Sequence, residues 1–133
     1  MKKQTIKKFA IIMMILVVFP LQMFAMAAQK DEVEPLWDNA MSVSLSISAG
    51  KVQSRVVGVS GVSQIQLDVY VYVQNGSSWD YVTENHKTSN SMLLTDTLNF
   101  TAVAGAYYRA DFTVVITKNG VPEVITQTKY YNN

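Results

Sequence analysis

Cysteine is absent from all 133 residues of the chain. Disulfides, zinc–thiolate sites and thiol catalysis are therefore excluded, and the fold must be stabilised by core packing alone. Histidine occurs once, as His86, and no Gly-rich phosphate loop of the Walker or dinucleotide-binding type is present. These absences remove most of the common catalytic, metal-binding and nucleotide-binding chemistries.

One long apolar run is present, and it lies at the N-terminus. Four lysines precede an uncharged apolar run over 9–24, and Ala25-Met26-Ala27 follows. This order is typical of a secretory signal peptide over 1–27, with cleavage predicted after Ala27. The alternative is an uncleaved membrane anchor, since a span needs roughly 20 apolar residues. Pro20 and Gln22 interrupt the run and favour cleavage, so we expect a secreted, extracellular protein with no membrane attachment after processing.

Removal of the signal peptide changes the charge of the chain. It takes away four of the 11 basic residues and none of the 10 acidic residues, which leaves a net charge of −3 with His86 neutral. A weakly acidic protein offers no electrostatic footprint for nucleic acid or anionic membrane. Four acidic residues fall within 28–40, which is predicted to be a solvated leader. The rest of the chain, 41–133, has the length of one domain.

Apolar and polar residues alternate with period two in the segments 41–47, 63–73 and 106–117. Such alternation predicts half-buried strands. The residues expected to face inward are Met41, Val43, Leu45 and Ile47; Ile65, Leu67, Val69, Val71 and Val73; and Tyr108, Ala110, Phe112, Val114 and Ile116. A long, partly interrupted strand is predicted over 92–102, and weaker strands are predicted over 52–59, 79–84 and 121–130.

The expected architecture follows from the residues that favour tight turns and from their spacing along the chain. Asn75-Gly76 and Asn119-Gly120 are the strongest hairpin signals, because both residue types tolerate positive φ. No segment shows useful helical periodicity. About seven strands separated by turns every 8–12 residues or so predict an all-β protein, a two-sheet antiparallel β-sandwich. A small closed barrel is the alternative.

The segment 105–112, Gly-Ala-Tyr-Tyr-Arg-Ala-Asp-Phe, resembles the penultimate strand of immunoglobulin-like and fibronectin type III-like sandwiches. The resemblance implies that Tyr108 is a tyrosine corner, whose hydroxyl bonds to an upstream loop. The chain also resembles small secreted β-sandwich proteins of Gram-positive Firmicutes, a family of uncharacterised function, through Trp37, Gly76…Trp79, Tyr108-Arg109 and Asn119-Gly120…Glu123. This likeness implies a fold and a compartment, and it implies no activity.

A search for catalytic groups is negative. His86 lies in a predicted polar loop, 83–90, where Ser89 and Glu84 could complete a Ser–His–acid arrangement. Such a triad demands strict geometry, and a lone histidine among polar neighbours is better explained as solvated. The carboxylates Asp68, Asp80, Asp96 and Asp111 are interpreted as solvated sheet surface, and no calcium-loop spacing links them. We therefore predict no enzyme activity, no metal site and no cofactor.

Aromatic residues around the predicted hairpin are the candidate binding residues: Tyr70, Tyr72, Trp79 and Tyr81. A two-residue Asn75-Gly76 turn would place Tyr72 opposite Trp79 and put all four rings on the outer face. A longer loop over 74–78 would place Val73 opposite Trp79 and put Trp79 and Tyr81 in the core. We favour the longer loop, because large aromatic residues most often serve burial and an exposed patch invites aggregation. Tyr70 and Tyr72 face outward in both registers.

The sequence thus predicts a non-enzymatic protein that binds a partner outside the cell. A protein partner is favoured, because Tyr and Trp dominate interface hot spots. Two alternatives remain: a carbohydrate- or cell-wall-binding module that uses the Tyr70/Tyr72 face, and a self-assembling structural protein. For self-assembly the segment 52–59 is suspected as an exposed edge strand.

Overall fold

Seven antiparallel strands make up most of the folded chain. The computed structural model describes residues 36–133, and both the predicted signal peptide and residues 28–35 of the acidic leader lie outside the described residues. The strands are β1 (Ala40–Ser48), β2 (Lys51–Gly58), β3 (Val62–Asn75), β4 (Ser78–Ser89), β5 (Leu93–Asn99), β6 (Tyr107–Lys118) and β7 (Val121–Asn132).

The strands form two sheets, one of three strands in the order β1-β2-β5 and one of four in the order β4-β3-β6-β7. The predicted all-β antiparallel sandwich is thereby confirmed. β4 pairs with β3 in the four-stranded sheet. In antibody constant domains, by contrast, the fourth strand joins the sheet of the first two strands.

The core lies between the two sheets and follows the alternation of the sequence. Its residues, each at most 9% exposed, are Ala40, Leu45, Ile47, Val52, Val56, Val62, Ile65, Leu67, Val69, Val71, Leu94, Tyr108, Ala110, Phe112, Val114, Ile116 and Ile125. The inward face predicted for β6 is confirmed in full. Met41 is the exception in β1, because a register irregularity between Ala40 and Ser42 leaves it 70% exposed.

Two hairpin turns fix the register of the four-stranded sheet. Asn119 and Gly120 join β6 to β7 with φ of 51° and 75°, as a type I′ turn requires. Between β3 and β4, Asn75 pairs with Ser78, so the turn residues are Gly76 and Ser77. Only Gly76 has a positive φ, 62°, which fits a type II′ turn. Both predicted registers of this hairpin are therefore wrong by at least one residue.

β4 also contains a bulge that changes which side chains face outward. Tyr72 pairs with Tyr81 and Val71 pairs with Thr83, so Val82 is an extra residue on β4. Before the bulge Trp79 and Tyr81 face outward; after it the outward residues are Glu84, His86 and Thr88. The strand continues to Ser89, and the predicted polar loop over 83–90 is mostly strand.

β2 is a central strand, paired with β1 on one side and β5 on the other. The expectation that 52–59 forms an exposed edge is therefore wrong. The edges of the three-stranded sheet are β1 and β5, and those of the four-stranded sheet are β4 and β7. β5 is shorter than the strand predicted over 92–102, since it ends at Asn99.

Polar contacts tie the sheets together at two places. The Glu123 carboxylate of β7 accepts the backbone N–H groups of Asp38 and Asn39, at 2.9 and 2.8 Å, and so holds the segment that leads into β1. At the other side, the Asn85 side-chain amide donates to the Asp96 carboxylate at 2.8 Å and joins β4 to β5. The compact unit begins at Leu36, so residues 36–40 of the predicted leader belong to the folded domain.

Tyr108 has the geometry of a tyrosine corner. Its side chain is 2% exposed, and its hydroxyl accepts the backbone N–H of Val103 at 2.8 Å. The ring also packs against Phe100, with 5.1 Å between centroids. This contact fixes the loop between β5 and β6 just before β6 enters the core.

Replacement of Tyr108 tests that role. Tyr108→Phe removes the acceptor of the Val103 N–H and is expected to lower the free energy of unfolding by about 1 kcal/mol, the usual cost of one hydrogen bond. Urea denaturation measures the change. Tyr131→Phe is the matched control, because the Tyr131 hydroxyl has only a 3.5 Å contact to Asn133 Oδ1. Equal free energies of unfolding in the two variants would contradict the assignment of Tyr108 as a tyrosine corner.

Candidate binding face

The outer side of the four-stranded sheet carries most of the aromatic residues of the protein. Six of its nine Tyr and Trp residues share this surface, which we call the aromatic face: Tyr70, Tyr72, Trp79, Tyr81, Tyr107 and Tyr130. Asp68, Glu84, His86, Arg109 and Asp111 lie among them. Alternation puts these side chains on the side of the sheet opposite the buried residues of β3 and β6.

Arg109 is the centre of the aromatic face. It stands on β6 between Tyr72 of β3 and Tyr130 of β7. Its guanidinium carbon lies 4.7 Å from the centroid of the Tyr72 ring and 4.8 Å from that of Trp79, within the range of cation–π attraction. A nitrogen of the same group contacts Asp111 at 3.1 Å.

The rings around Arg109 pack against one another. Tyr107 and Tyr130 are stacked, with 7° between planes and 5.8 Å between centroids. Trp79 lies 5.8 Å from Tyr107 and 6.0 Å from Tyr130. Tyr81 forms an edge contact with Tyr72 at 6.4 Å and keeps 58% of its surface exposed. The cluster therefore holds its rings in place and still presents Tyr81, Tyr107 and Tyr130 to solvent.

Next to the rings, a histidine links two carboxylates. The Nδ1 atom of His86 lies 2.6 Å from Asp68 Oδ1, and its Nε2 lies 3.6 Å from Glu84 Oε1. The hydrogen bond to Asp68 raises the pKa of His86 above its ordinary value, and Glu84 adds to the effect. Tyr70 packs edge-on against the His86 ring, with 5.6 Å between centroids. Desolvation and the charges of Glu84 and Asp68 raise the pKa of Tyr70.

A Ser–His–acid arrangement is not assembled. The Ser89 hydroxyl bonds to Leu93 O at 2.7 Å and to Ser91 Oγ at 2.9 Å. His86 is three positions earlier on β4, and both of its ring nitrogens contact carboxylates. The serine and the histidine therefore serve different contacts on different faces of the strand.

The four predicted binding residues come together, although the favoured register is wrong. Tyr70 and Tyr72 face outward as predicted. Trp79 and Tyr81, which that register placed in the core, lie on the aromatic face. The physical reason is the Gly76–Ser77 turn, which pairs Trp79 with Gln74 rather than with Val73 and so places Trp79 and Tyr81 on the outer side of the sheet.

Sequence reasoning missed the other half of the aromatic face. Tyr107, Arg109 and Asp111 alternate outward along β6, so their orientation was readable. Tyr130 lies in a weakly patterned strand. The strand order β4-β3-β6-β7 is needed to show that the residues of β6 and β7 lie beside the four predicted binding residues, which are on β3 and β4. Gly76-Ser77 was a usable turn signal, since Gly followed by Ser suits a type II′ turn.

Two further findings concern residues 36–133. In that range no helix could cross a membrane. The same residues hold no group of three or more His, Asp or Glu side chains arranged to bind a metal ion.

No protein-family model and no curated protein matches this chain. Among solved structures, it is similar to the Br derivative of BhCBM56, with 15% sequence identity and a TM-score of 0.39 over 74% of this chain and 97% of that one. It is also similar to the Parabacteroides merdae beta-glucuronidase (GUS), with 9% identity and a TM-score of 0.35 over 72% of this chain. This second alignment covers 14% of the glucuronidase. Both TM-scores are below 0.5, so neither similarity supports a functional assignment for the aromatic face.

The His86–Asp68 contact predicts a pH effect with a defined sign. Because the pKa of His86 is raised in the folded state, its stabilisation is complete below the unfolded-state pKa of about 6.5 and is lost as the pH rises through the folded-state value. NMR titration of the His86 ring should give a pKa above 6.5, and Asp68→Asn should lower it.

Asp80→Asn is the control for this titration, since Asp80 bonds to Asn75 beside the turn. It should leave the His86 titration unchanged. A His86 pKa that is the same in the wild type and in Asp68→Asn would contradict the assignment.

Proposed function

We propose that this chain is an exported, non-catalytic protein that binds extracellular glycans through its aromatic face. The observation that carries the proposal is the placement of six Tyr and Trp rings and three carboxylates on one outer sheet surface. Aromatic rings offer apolar surfaces for the C–H faces of sugars, and carboxylates accept hydrogen bonds from sugar hydroxyls.

The row through Arg109 gives the direction in which a glycan would lie. Tyr81, Tyr72, Arg109 and Tyr130 occupy four adjacent strands. Three interstrand spacings of about 4.8 Å place the ends of this row roughly 14 Å apart. The two end rings, Tyr81 and Tyr130, are 58% and 55% exposed. A glycan that crosses the strands would contact both of them.

Preorganisation supports binding at this face. Tyr130 is held by Tyr107 and Trp79, and Tyr81 by Tyr72. Rings already fixed by neighbours lose less side-chain entropy when a ligand arrives, so more of the contact energy is retained as affinity. Asp111 is fixed in a similar way, because Thr128 donates to it at 3.0 Å.

A protein partner is the second candidate, and Arg109 favours it. Tyr, Trp and Arg are the residue types enriched in interface hot spots, and here they form one contiguous group. The Arg109 side chain is 24% exposed, so part of it remains available to a partner. Binding of this kind would use the centre of the face, whereas a glycan would use the exposed rings at its two sides.

Retention on insoluble polysaccharides and purified cell walls tests the proposal. A chain of residues 28–133 contains the whole compact unit Leu36–Asn133. We expect it to be retained by at least one of these polymers, and we expect Tyr81→Ala/Tyr130→Ala to weaken retention by tenfold or more. Loss of two aromatic contacts, each of about 1 kcal/mol, has that magnitude.

The matched variant Tyr81→Phe/Tyr130→Phe keeps both rings and should keep most of the binding. Circular dichroism and urea denaturation show whether each variant is folded. If no polymer retains the wild type, or if the Ala and Phe variants behave alike, glycan binding through these rings is refuted. Capture of a protein partner that depends on Arg109 would then favour the second candidate.

A further inference from the structure

The outer side of the three-stranded sheet carries a concave surface, across the sandwich from the aromatic face. It is a shallow groove of about 320 Å³. The residues that line it are Ser44, Ser46, Gln53, Ser54, Arg55, Thr95, Asp96 and Thr97. Alternation places Ser44, Arg55 and Thr95 side by side on the three strands, with Ser46, Gln53 and Thr97 in the next row.

This surface has a charge opposite to that of the aromatic face. Its charged side chains are Arg55 and Lys51, both exposed and four residues apart on β2. Neither forms an ion pair with any residue of 36–133. The Asp96 side chain is 8% exposed, and its negative charge is balanced by Lys87, whose Nζ lies 3.5 Å from Asp96 Oδ1. The groove therefore presents an uncompensated positive charge.

The chemistry of the lining selects among anionic ligands. Serine and threonine hydroxyls, the Gln53 amide and the Arg55 guanidinium are all hydrogen-bond donors of the kind that phosphate oxygens accept. No aromatic side chain lines the groove. Single-stranded nucleic acids are bound largely through stacking of bases on aromatic rings, so this surface is poorly suited to them.

We propose that the groove binds a linear phosphodiester polymer whose repeating unit is a polyol or a sugar. Arg55 pairs with one phosphate, and the hydroxyls of the neighbouring Ser44 and Thr95 donate to the same group. Lys51 lies on the same face of β2, roughly 13 Å along the strand at about 3.3 Å per residue. A chain with regularly spaced phosphates, laid along β2, reaches both cations.

The test uses poly(glycerol phosphate) as the probe and residues 28–133 as the protein, followed by NMR titration. Amide shifts should be confined to β1, β2 and β5 and should saturate. Arg55→Gln should weaken binding about tenfold or more, as expected for loss of a charge-assisted hydrogen bond. Lys129→Gln removes the same charge from β7 of the other sheet and should leave the affinity unchanged.

Ionic strength and a nucleic acid comparator sharpen the result. If two phosphates of a flexible strand are neutralised, the logarithm of the binding constant plotted against the logarithm of the salt concentration should have a slope of roughly −1.4. In Arg55→Gln or Lys51→Gln one phosphate contact is lost, and the slope should be about −0.7. Oligothymidine of matched charge should bind more weakly than the glycerol polymer. The proposal is overturned if there is no saturable shift, if Lys129→Gln has the same effect as Arg55→Gln, or if oligothymidine binds as tightly. Because the two faces are on opposite sides of the sandwich, these outcomes are independent of glycan binding at the aromatic face.

Discussion

The register of the β3–β4 hairpin is the constraint on which the aromatic face depends. A strand has a side-chain period of two, so a slip of one residue would send Trp79 and Tyr81 to the inner side of the sheet. The turn at Gly76 and Ser77 prevents this slip, because the positive φ of Gly76 suits a two-residue connection that begins there. Without that register Arg109 would lose one of its two stacking partners, and the outer surface would lose two of its six rings.

The sandwich separates two different surface chemistries. The four-stranded sheet presents rings and carboxylates, whereas the three-stranded sheet presents hydroxyls, an amide and two cations. The Asn85–Asp96 hydrogen bond joins β4 to β5, so it links an edge of each sheet. The two proposed sites would allow one folded unit to contact two different polymers, and its small core, which no disulfide reinforces, supports both faces.

Alternation along β3 and β6 predicted the core and the sandwich from the sequence, because both strands are central and bury one whole face. The same reasoning failed for β4. An edge strand with Glu84, Asn85 and His86 in its second half has no apolar period, so it looked like a loop. The bulge at Val82 changes the outward-facing positions of β4 from odd-numbered to even-numbered residues. The sequence around Val82 contains no turn or glycine signal that would predict the bulge. The position of Tyr130 on the aromatic face depends on the strand order of the sheet, and the local sequence around Tyr130 does not determine that order.

Contacts of the Trp79 indole test the account most directly, since every argument about the aromatic face requires that ring to lie outside. An NMR NOE spectrum of the folded protein would show which protons approach it. We predict cross-peaks from the Trp79 ring to Arg109 and to the rings of Tyr107 and Tyr130. Cross-peaks to buried core residues such as Val71 or Phe112 would place Trp79 inside the sandwich and would contradict the binding face described here.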